Sequence, residues 1–401
     1  MISAEILGGL AIRNNARIVL LVLDGLGGLP DEVTGKTELE AARTPHMDEL
    51  ARWGICGMAD PVARGITPGS GPGHLALFGY DPLKYQIGRG ALAALGVNFQ
   101  LGRNDVAARI NFATVDRRGI VTDRRAGRIP TERNQQLCDK LRKIEIPGVK
   151  LFVETVKEHR AVVIFRAEGL TDQLSDSDPQ KVGVPPLDVK PLSDEAARSA
   201  EIANNFISQS REFLKDEKPA NMVLLRGFAK CPEVPSMGEI YGLNPAAIAT
   251  YPMYKGIARL VGMDLLASGN RIADEFDTLA DNFTKYDFFY LHIKRTDSAG
   301  EDGNFAEKVR LIEEVDTYMP QLTELNPDVV VITGDHSTPC ALKAHSWHPV
   351  PVLLFSKWCR PDRVEVFSES QCLAGGLGRF PATEIMALAL ANALRLRKFG
   401  A

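Results

Sequence analysis

The chain has 401 residues, of which 45% are hydrophobic and 24% charged, an ordinary balance for a globular protein with two to three domains. Its net charge of −4 argues against a general nucleic-acid binder, which needs a basic face. Six cysteines without a CxxC pair, no export signal and no early apolar run near the ~20 residues of a membrane span predict a cytoplasmic protein with reduced thiols.

A buried strand is predicted at residues 18–23 (IVLLVL), and Asp24 follows it directly. A continuously apolar strand is typical of an α/β sheet that is covered on both faces. Ligands bind at the carboxyl ends of strands in such sheets, so Asp24 is a candidate metal ligand as well as a candidate turn residue. Thr44 and Pro45 then predict a helix start, with His46 as a surface residue of its first turn.

The stretch TPGSGPGH at residues 67–74 places Ser70 among glycines and a proline, directly before the apolar residues LALF. We expect this segment to form a turn that leads into a helix. A serine there exposes its hydroxyl and lies near backbone N–H groups that can bind an anion. Ser70 is therefore a candidate phosphoryl acceptor, although a plain turn explains the same residues. His74 is interpreted as a residue that braces the loop.

The sequence pattern changes at residues 88–92 (GRGAL), and we interpret this segment as a hinge. The block that follows mixes strands and helices and contains seven arginines within residues 109–133. Guanidinium groups bind carboxylate and phosphate in a bidentate manner, which favours a small polyanionic substrate over nucleic acid. A solvated basic face is the alternative for part of this set. This block is a candidate inserted domain.

The last third of the chain returns to an alternation of strands and helices. Strands are predicted at residues 287–293 (DFFYLHI) and 328–333 (DVVVIT), and a helix at residues 305–325. His292 alternates within the first of these strands, so we interpret it as a packed histidine rather than a ligand.

Acidic residues and histidines stand just beyond the predicted strand ends, namely Asp24, Asp297, Glu301, Asp335, His336 and His345. Mixed Asp and His ligands suit Mn²⁺, Zn²⁺ or Mg²⁺, and carboxylates favour the harder ions. The set is large enough for two ions, and a two-metal site can stabilise the attacking and leaving oxygens of a phosphoryl transfer. Ser70 would then supply the attacking oxygen.

Short segments in a fixed order resemble the archaeal-type cofactor-independent phosphoglycerate mutases of the alkaline phosphatase superfamily: VLLVLDGLGG, TPGSGPGHLALFGYDP, ARINFATVD, TDRRAGRI, HRAVVIF, LLRG, YKGIARLVGM, HIKRTD, GDHSTP and AHSWHPVPVLL. The resemblance covers nearly the whole chain. It implies an α/β fold, with a mainly parallel sheet covered by helices on both faces and interrupted by a smaller inserted α+β domain. The implied domains are a metal-binding domain at residues 1–88 and 229–401 and an inserted substrate-binding domain at residues 89–228.

The resemblance also implies an activity in glycolysis and gluconeogenesis. Ser70 would take the phosphoryl group of 3-phosphoglycerate and return it to the 2-hydroxyl, without a bisphosphoglycerate cofactor. One divalent ion would be held by Asp24, Ser70, Asp335 and His336, and a second by Asp297, Glu301 and His345. The implied substrate-binding residues are Arg109, Arg124, Arg128, Arg160 and Arg226. Lys255 would lie near the phosphoserine, and Asp123 is either a general base on the glycerate hydroxyls or a salt-bridge partner.

Two positions depart from the family pattern. The family usually has a histidine four residues after the aspartate of HIKRTD, where this chain has Glu301. A carboxylate there favours Mn²⁺ or Mg²⁺, with Zn²⁺ and Co²⁺ as alternatives, and His348 is a candidate to supply the lost imidazole. Residues 71–73 are Gly-Pro-Gly where many members carry Asp-Thr-Ala, while Ser70 is retained.

Three functions fit these observations. The first is the mutase, and the second is a metal-dependent phosphatase or phosphotransferase that acts on another small phosphorylated metabolite. The third is a catalytically silent binding protein, which the change at Glu301 motivates. We expect a small-molecule substrate, neither nucleic acid nor membrane as a partner, and leave the oligomeric state open.

Overall fold

The computed structural model describes residues 4–400. The strands are β1 (Ile18–Leu23), β2 (Ile55–Asp60), β3 (Asp105–Val115), β4 (Val121–Asp123), β5 (Lys150–Lys157), β6 (Arg160–Arg166), β7 (Met222–Ala229), β8 (Pro245–Ile248), β9 (Asp264–Leu265), β10 (Phe288–Ile293), β11 (Val329–Thr333), β12 (Val350–Ser356) and β13 (Gly378–Pro381). The helices are α1 (Ala4–Leu10), α2 (Glu38–Ala41), α3 (Pro45–Trp53), α4 (Ser70–Leu77), α5 (Arg89–Gly96), α6 (Thr131–Leu141), α7 (Ala197–Leu214), α8 (Met237–Tyr241), α9 (Pro252–Leu260), α10 (Ile272–Asn282), α11 (Arg295–Asp302), α12 (Phe305–Thr317), α13 (Met319–Glu324), α14 (Glu369–Cys372) and α15 (Ile385–Asn392). Short 3₁₀ turns lie at Ala126–Arg128, Asp194–Ala196 and Ala382–Glu384.

The chain separates into two compact units. The first consists of Met1–Gln86 and Val234–Ala401, and the second of Ile87–Glu233. The roles predicted for the two parts of the chain, metal binding and substrate binding, stay predictions. Among the helices of residues 4–400, none combines the length and the apolar character that crossing a membrane requires.

The first unit is built on an eight-stranded sheet with the order β13-β2-β12-β11-β1-β10-β8-β9. β12 runs antiparallel to its neighbours β2 and β11, and the other pairs are parallel. β1 lies at the centre, paired with β10 on one side and β11 on the other. All six of its side chains are buried, which explains its uninterrupted apolar sequence.

Helices cover both faces of this sheet. One face buries the β1 residues Val19, Leu21 and Leu23 in a core that also contains apolar residues of α3, α10, α12 and α13. On the other face, the rings of His74 on α4 and Tyr254 on α9 pack against His292 of β10, and His74 also packs against Tyr290. The mainly parallel α/β class predicted from the sequence is confirmed.

The second unit is an antiparallel α+β structure. β3 pairs with β6 on one side and with β7 on the other, β5 extends the sheet beyond β6, and β4 pairs with the end of β3. The side chains of β3 alternate between two cores: Val106, Ala108 and Ile110 pack with α6 and α7, while Ala107 packs with α5. This alternation is the period expected for a strand with both faces covered.

Residues 88–92 form the start of α5, with Gly88 as its N-cap, and the hinge predicted there stays a prediction. Two local expectations are wrong. The helix predicted over residues 305–325 ends at Thr317, and α13 begins anew with a proline in its first turn. Residues 71–73 lie inside the first turn of α4 and not in a preceding turn, because Pro is tolerated at the first positions of a helix.

Candidate active site

The candidate site of the first unit lies at the carboxyl ends of the three central strands. Asp24 follows β1, Asp335 and His336 follow β11, and Asp297 lies in the first turn of α11, directly after β10. Because the three strands are parallel neighbours, their ends meet at one edge of the sheet. The topology thus gathers residues that are up to about three hundred positions apart in the chain.

Two groups of side chains at this edge could each hold a metal ion. Asp24, Asp335 and His336 form one group, Asp297, His336 and His345 form the other, and one ligand atom from each member lies within 4.8 Å of the others in its group. His336 belongs to both, with its Nε2 3.4 Å from Asp24 Oδ1 and 3.1 Å from Asp335 Oδ2. His345 Nε2 lies 3.7 Å from Asp297 Oδ1.

The environment of the carboxylates fits divalent ions. Asp24 and Asp335 are fully buried. Within the described residues, both oxygens of Asp24 and Oδ2 of Asp335 lack a hydrogen bond of acceptable geometry. Buried acceptors without a donor are costly, and carboxylate and imidazole donors suit Mn²⁺, Mg²⁺ or Zn²⁺, so a bound cation would satisfy these atoms.

Ser70 is the first residue of α4 and lies beside the first group. Its Oγ is 3.4 Å from His336 Nε2. α4 approaches the Asp335 segment closely, since a Cβ on Gly73 would lie only 2.3 Å from the carbonyl oxygen of Asp335. The glycine at position 73 therefore permits the contact that brings Ser70 to the site.

His74 braces the same segment, as predicted. Its Nδ1–H donates to the carbonyl oxygen of Ser70 over 2.8 Å, and Nδ1 also lies 3.1 Å from Asp335 Oδ2. Burial lowers the pKa of His74, but the Asp335 and Asp24 carboxylates and the hydrogen bond to Ser70 together raise it above its ordinary value. His74 thus links the serine to a candidate ligand.

His292 is a packed histidine, as predicted, and it also faces the site. Its ring lies 3.9 Å from the ring of Tyr254, and its Nε2 is 3.4 Å from Asp24 Oδ2. Burial lowers its pKa below the ordinary value. Lys255, predicted to lie near a phosphoserine, follows Tyr254 on α9 and is half-buried.

His345 is oriented by the segment that precedes Ser70. Its Nδ1 lies 2.9 Å from the carbonyl oxygen of Pro68. A carbonyl can only accept, so Nδ1 carries the proton and Nε2 is left as the nitrogen that faces Asp297. The ring also stacks on His336, with 3.6 Å between the centroids.

Two further candidates lie outside both groups. Glu301, one turn after Asp297 on α11, has an exposed side chain, whereas Asp297 is buried. His348 accepts or donates through Nδ1 to Ser346 Oγ at 3.0 Å and stacks on Trp347. Neither residue belongs to the two groups found within the described chain.

Lys294 is a site residue that the sequence reasoning missed. Its ammonium lies 3.1 Å from Asp24 Oδ2 and donates to Asp297 Oδ2, and so joins a carboxylate of each group. Burial lowers the pKa of Lys294, but Asp24 and Asp297 raise it well above the ordinary value. Burial in turn raises the pKa of Asp24, but Lys294, His292 and His336 together lower it well below its ordinary value. Lys294 lies within the HIKRTD segment that supports the family resemblance, and this position was the sequence signal that could have identified it.

The predicted substrate arginines all lie in the second unit. Arg109 of β3 stands opposite Arg226 of β7, and Asn111, two residues further along β3, stands opposite Arg160 of β6. Residues two apart on a strand share a face, so these three arginines line one face of the sheet. Such a face offers several guanidinium groups to one small anion.

Arg124 and Arg226 share one buried partner, Asp178. Arg124 donates from Nε and Nη2 to Asp178 over 2.9 and 2.8 Å, and Arg226 Nη1 lies 3.4 Å from the same carboxylate. Asp176 lies 3.6 Å from Arg226 Nε. These contacts fix the positions of two predicted substrate arginines.

Asp123 and Arg128 lie around the 3₁₀ turn at Ala126–Arg128. Asp123 accepts hydrogen bonds from the backbone N–H groups of Arg125 at 2.8 Å and Gly127 at 2.6 Å. Its carboxylate therefore stabilises the turn that carries Arg128, whose side chain is exposed. The role of general base stays a prediction.

His159 is a further residue that sequence reasoning missed. It is buried at the start of β6, beside Arg160. Burial and the positive charges of Arg160, Arg125, Arg109 and Arg128 lower the pKa of His159 to about 4. The imidazole therefore stays neutral at physiological pH within a cluster of arginines.

Comparison with known proteins identifies the family. A family model described as 2,3-bisphosphoglycerate-independent phosphoglycerate mutase matches residues 51–221. Proteins named "Probable 2,3-bisphosphoglycerate-independent phosphoglycerate mutase" from Thermosipho melanesiensis and Aquifex aeolicus are 52% and 51% identical; the alignments cover 99% of this chain in both cases and 99% and 100% of the relatives. The chain belongs to the 2,3-bisphosphoglycerate-independent phosphoglycerate mutase family.

Solved structures agree with this assignment. A protein from Pyrococcus horikoshii is 30% identical and superposes with a TM-score of 0.84, over 97% of this chain and 100% of that one. A cofactor-independent phosphoglycerate mutase from Thermoplasma acidophilum is 31% identical with a TM-score of 0.71, over 94% of this chain and all of its own.

Proposed function

We propose that this protein interconverts 3-phosphoglycerate and 2-phosphoglycerate without a bisphosphoglycerate cofactor, through a phosphoserine at Ser70. The observation that carries the proposal is the position of Ser70 Oγ, 3.4 Å from a histidine nitrogen that both candidate metal groups share. Family membership at about half identity over nearly the full chain supports the same reaction. In the cell the enzyme would act in glycolysis and gluconeogenesis, in the cytoplasm.

The proposed reaction has two transfers. In the first, Ser70 Oγ loses its proton to a nearby base or solvent and forms a bond to phosphorus, while the bond from phosphorus to the 3-oxygen of the glycerate breaks and that oxygen takes up a proton. In the second, the 2-hydroxyl of the same glycerate loses its proton and its oxygen attacks phosphorus, while the bond from phosphorus to Oγ breaks and Ser70 regains its proton. Covalent catalysis of this kind divides one difficult transfer into two easier ones.

The candidate ligands would hold two divalent ions, Mn²⁺ or Mg²⁺ by preference. Asp24, Asp335, His336 and Ser70 would hold the first ion, and Asp297 and His345 the second. Ions bound there would lower the pKa of the serine hydroxyl and offset the charge of the transferred group. Glu301 remains a proposed ligand, and its exposed side chain makes it the member most in need of a direct test.

The second unit would bind the substrate anion. We assign the phosphate and carboxylate to the arginine face formed by Arg109, Arg160 and Arg226, together with Arg124 and Arg128. Bidentate guanidinium contacts recognise both groups of a phosphoglycerate. Asp123, on the turn beside these arginines, completes this proposed set as a general base on the glycerate hydroxyls. In the first unit, Lys255 is proposed to lie near the phosphoserine.

The test measures conversion of 3- to 2-phosphoglycerate without added bisphosphoglycerate, across Mn²⁺, Mg²⁺, Zn²⁺ and Co²⁺. Ser70→Ala should lose roughly six orders of magnitude in rate, the scale of removing a serine nucleophile. Ser370→Ala, which changes an exposed serine of the same unit, is the matched control and should keep parental turnover. Mass spectrometry after quenching should find a phosphorylated Ser70 peptide in the parent.

Contrary outcomes are distinct. Normal turnover by Ser70→Ala would refute the covalent route. Steady release of phosphate without 2-phosphoglycerate would identify a phosphatase instead. Glu301→Gln and Glu301→His test the second ion: if neither changes metal affinity nor metal preference, Glu301 is not a ligand.

A further inference from the structure

Thr338, two residues after His336, connects the two candidate metal groups through its hydroxyl. The side chain is fully buried. Its Oγ1 lies 2.6 Å from Asp297 Oδ1 and 3.0 Å from His336 Nδ1. One hydroxyl thus contacts a carboxylate of one group and the histidine that both groups share.

The protons of this chain of contacts can be assigned from the chemistry of each group. A hydroxyl has one proton to donate, and an ionised carboxylate only accepts, so Thr338 donates to Asp297. The lone pairs of Oγ1 must then accept from His336, which places a proton on Nδ1. Nε2 is the other ring nitrogen, and it faces Asp24, Asp335 and Ser70.

From this geometry we infer that Thr338 is a positioning residue that fixes the tautomer of His336. It keeps the proton on Nδ1 and so makes Nε2 the nitrogen that is offered to a metal ion. The inference rests on the proposed two-metal function for its consequence, but the tautomer itself is a property of the metal-free protein. Hydrogen bonds from an outer group to a ligating histidine are the usual means of setting its tautomer and its affinity for a metal.

The backbone of Thr338 is held firmly enough for this role. Its N–H is within 3.0 Å of the carbonyl oxygen of Gly27, and its own carbonyl accepts from the Lys308 ammonium over 3.0 Å. A Cβ on Gly25 would lie 2.5 Å from Oγ1, so only glycine at position 25 allows the hydroxyl to be where it is. Stacking between His336 and His345 orients the ring plane but cannot distinguish the two nitrogens.

Three variants separate this role from a purely structural one. Thr338→Val keeps the shape of the side chain and removes the hydroxyl, whereas Thr338→Ser keeps the hydroxyl. Thr333→Val is the matched control, because the hydroxyl of this buried threonine on β11 donates to the carbonyl oxygen of Pro351. Thermal unfolding of each variant verifies that the fold is retained.

The first readout is the ¹⁵N shift pattern of the histidine rings in metal-free protein at alkaline pH, with His336 assigned from a His336→Gln variant. The parent and Thr338→Ser should show the Nδ1–H form of His336, and Thr338→Val should show the Nε2–H form or a mixture. The second readout is Mn²⁺ affinity by calorimetry. Thr338→Val should bind roughly 10- to 100-fold more weakly, while Thr338→Ser and Thr333→Val stay close to the parent.

An unchanged Nδ1–H form in Thr338→Val, or Mn²⁺ affinity equal to that of the parent, would overturn the inference. A collapsed fold in Thr338→Val would leave the decision to Thr338→Ser, whose His336 must still show the Nδ1–H form. If the parent itself binds no divalent ion, the two-metal proposal fails. The ring shifts of the metal-free protein still decide the role of Thr338 in that case.

Discussion

Lys308 offers a sharp quantitative test of how the site is supported. It lies on α12 with no exposed surface, and its ammonium donates to the carbonyl oxygens of Gly27 and Thr338 over 3.2 and 3.0 Å. The nearest carboxylate is that of Glu38, also fully buried, 3.8 Å away. Two loops of the site, after β1 and after β11, are thus joined by one buried charge. We expect Lys308→Met to lower the stability of the first unit and to weaken metal binding.

The magnitude follows from the contacts. At 3.8 Å two unit charges attract by roughly 4 kcal/mol at an effective dielectric constant of about 20. Removing one partner of a buried pair typically costs about 3–5 kcal/mol, because the other charge stays buried. In the variant, the Glu38 carboxylate would stay buried without an opposite charge, and its Oε2 has no hydrogen bond among the described residues. We therefore expect a loss of about 4 kcal/mol and a fall in Tm of roughly 10 °C.

Tryptophan fluorescence is a suitable probe for denaturant unfolding of this unit. The three tryptophans, Trp53, Trp347 and Trp358, all belong to the first unit. Lys308→Met combined with Glu38→Gln removes the isolated charge and should recover at least half of the lost stability. A Lys→Met change at an exposed position, Lys285, is the control and should stay within about 0.5 kcal/mol of the parent.

The reasoning would be refuted by a Lys308→Met variant within about 1 kcal/mol of the parent, since a buried pair cannot be broken so cheaply. It would equally fail if Glu38→Gln gave no recovery, because the cost would then not arise from the unpaired carboxylate. Measurements in EDTA remove any contribution of bound metal to the comparison.

Two further predictions concern the second unit. Asp178→Asn should destabilise this unit by about 3 kcal/mol, because the buried carboxylate holds Arg124, and the loss should appear as faster hydrogen exchange by mass spectrometry. Asp139→Asn, at an exposed ion pair, is the control and should cost less than about 1 kcal/mol. Equal effects of the two variants would contradict the argument. His159 has a folded-state pKa of about 4, below the ~6.5 of an unfolded histidine, so the unfolded chain binds the proton more tightly. Its contribution to stability is complete above about pH 6.5 and is lost as the pH falls towards 4, up to about 3 kcal/mol. His159→Gln should flatten the stability profile over that window, and an unchanged profile would contradict the shift.

Much of the first unit could be predicted because its sequence pattern is local. An apolar run that ends in an aspartate, as in β1 with Asp24, indicates a buried parallel strand and its carboxyl end without any knowledge of the partners. β10 and β11 are also apolar runs and are followed within four residues by Asp297 and Asp335, which predicts that the residues after the three strands meet. Parallel pairing of these three strands brings Asp24, Asp297 and Asp335 to one edge.

The parts that escaped prediction depend on contacts between distant segments. Lys294 is part of the site because it forms an ion pair with Asp24, which is far away in the chain. Thr338 is part of it because its hydroxyl donates to Asp297. Spacing on a helix also leaves open which of two side chains one turn apart is buried, so it could not show that Asp297 turns inward while Glu301 is exposed. In the sequence, Asp178 is only a polar loop residue. Its role becomes visible in the structure, where its carboxylate accepts a hydrogen bond from Arg124.

The charges of the first unit explain why the proposed chemistry needs metal ions. Asp24, Asp335 and Asp297 place three carboxylates near the serine, and Lys294 offsets one of them. A phosphate brought to Ser70 would face this negative field, and each like-charge contact at about 4 Å costs roughly 4 kcal/mol at an effective dielectric constant of 20. Divalent cations on the carboxylates would reverse the sign of this field, and they would also bind the carboxylate oxygens that lack a well-aligned hydrogen bond. The same carboxylates that would exclude the substrate from the metal-free site are therefore what would make the metal-loaded site fit for phosphoryl transfer.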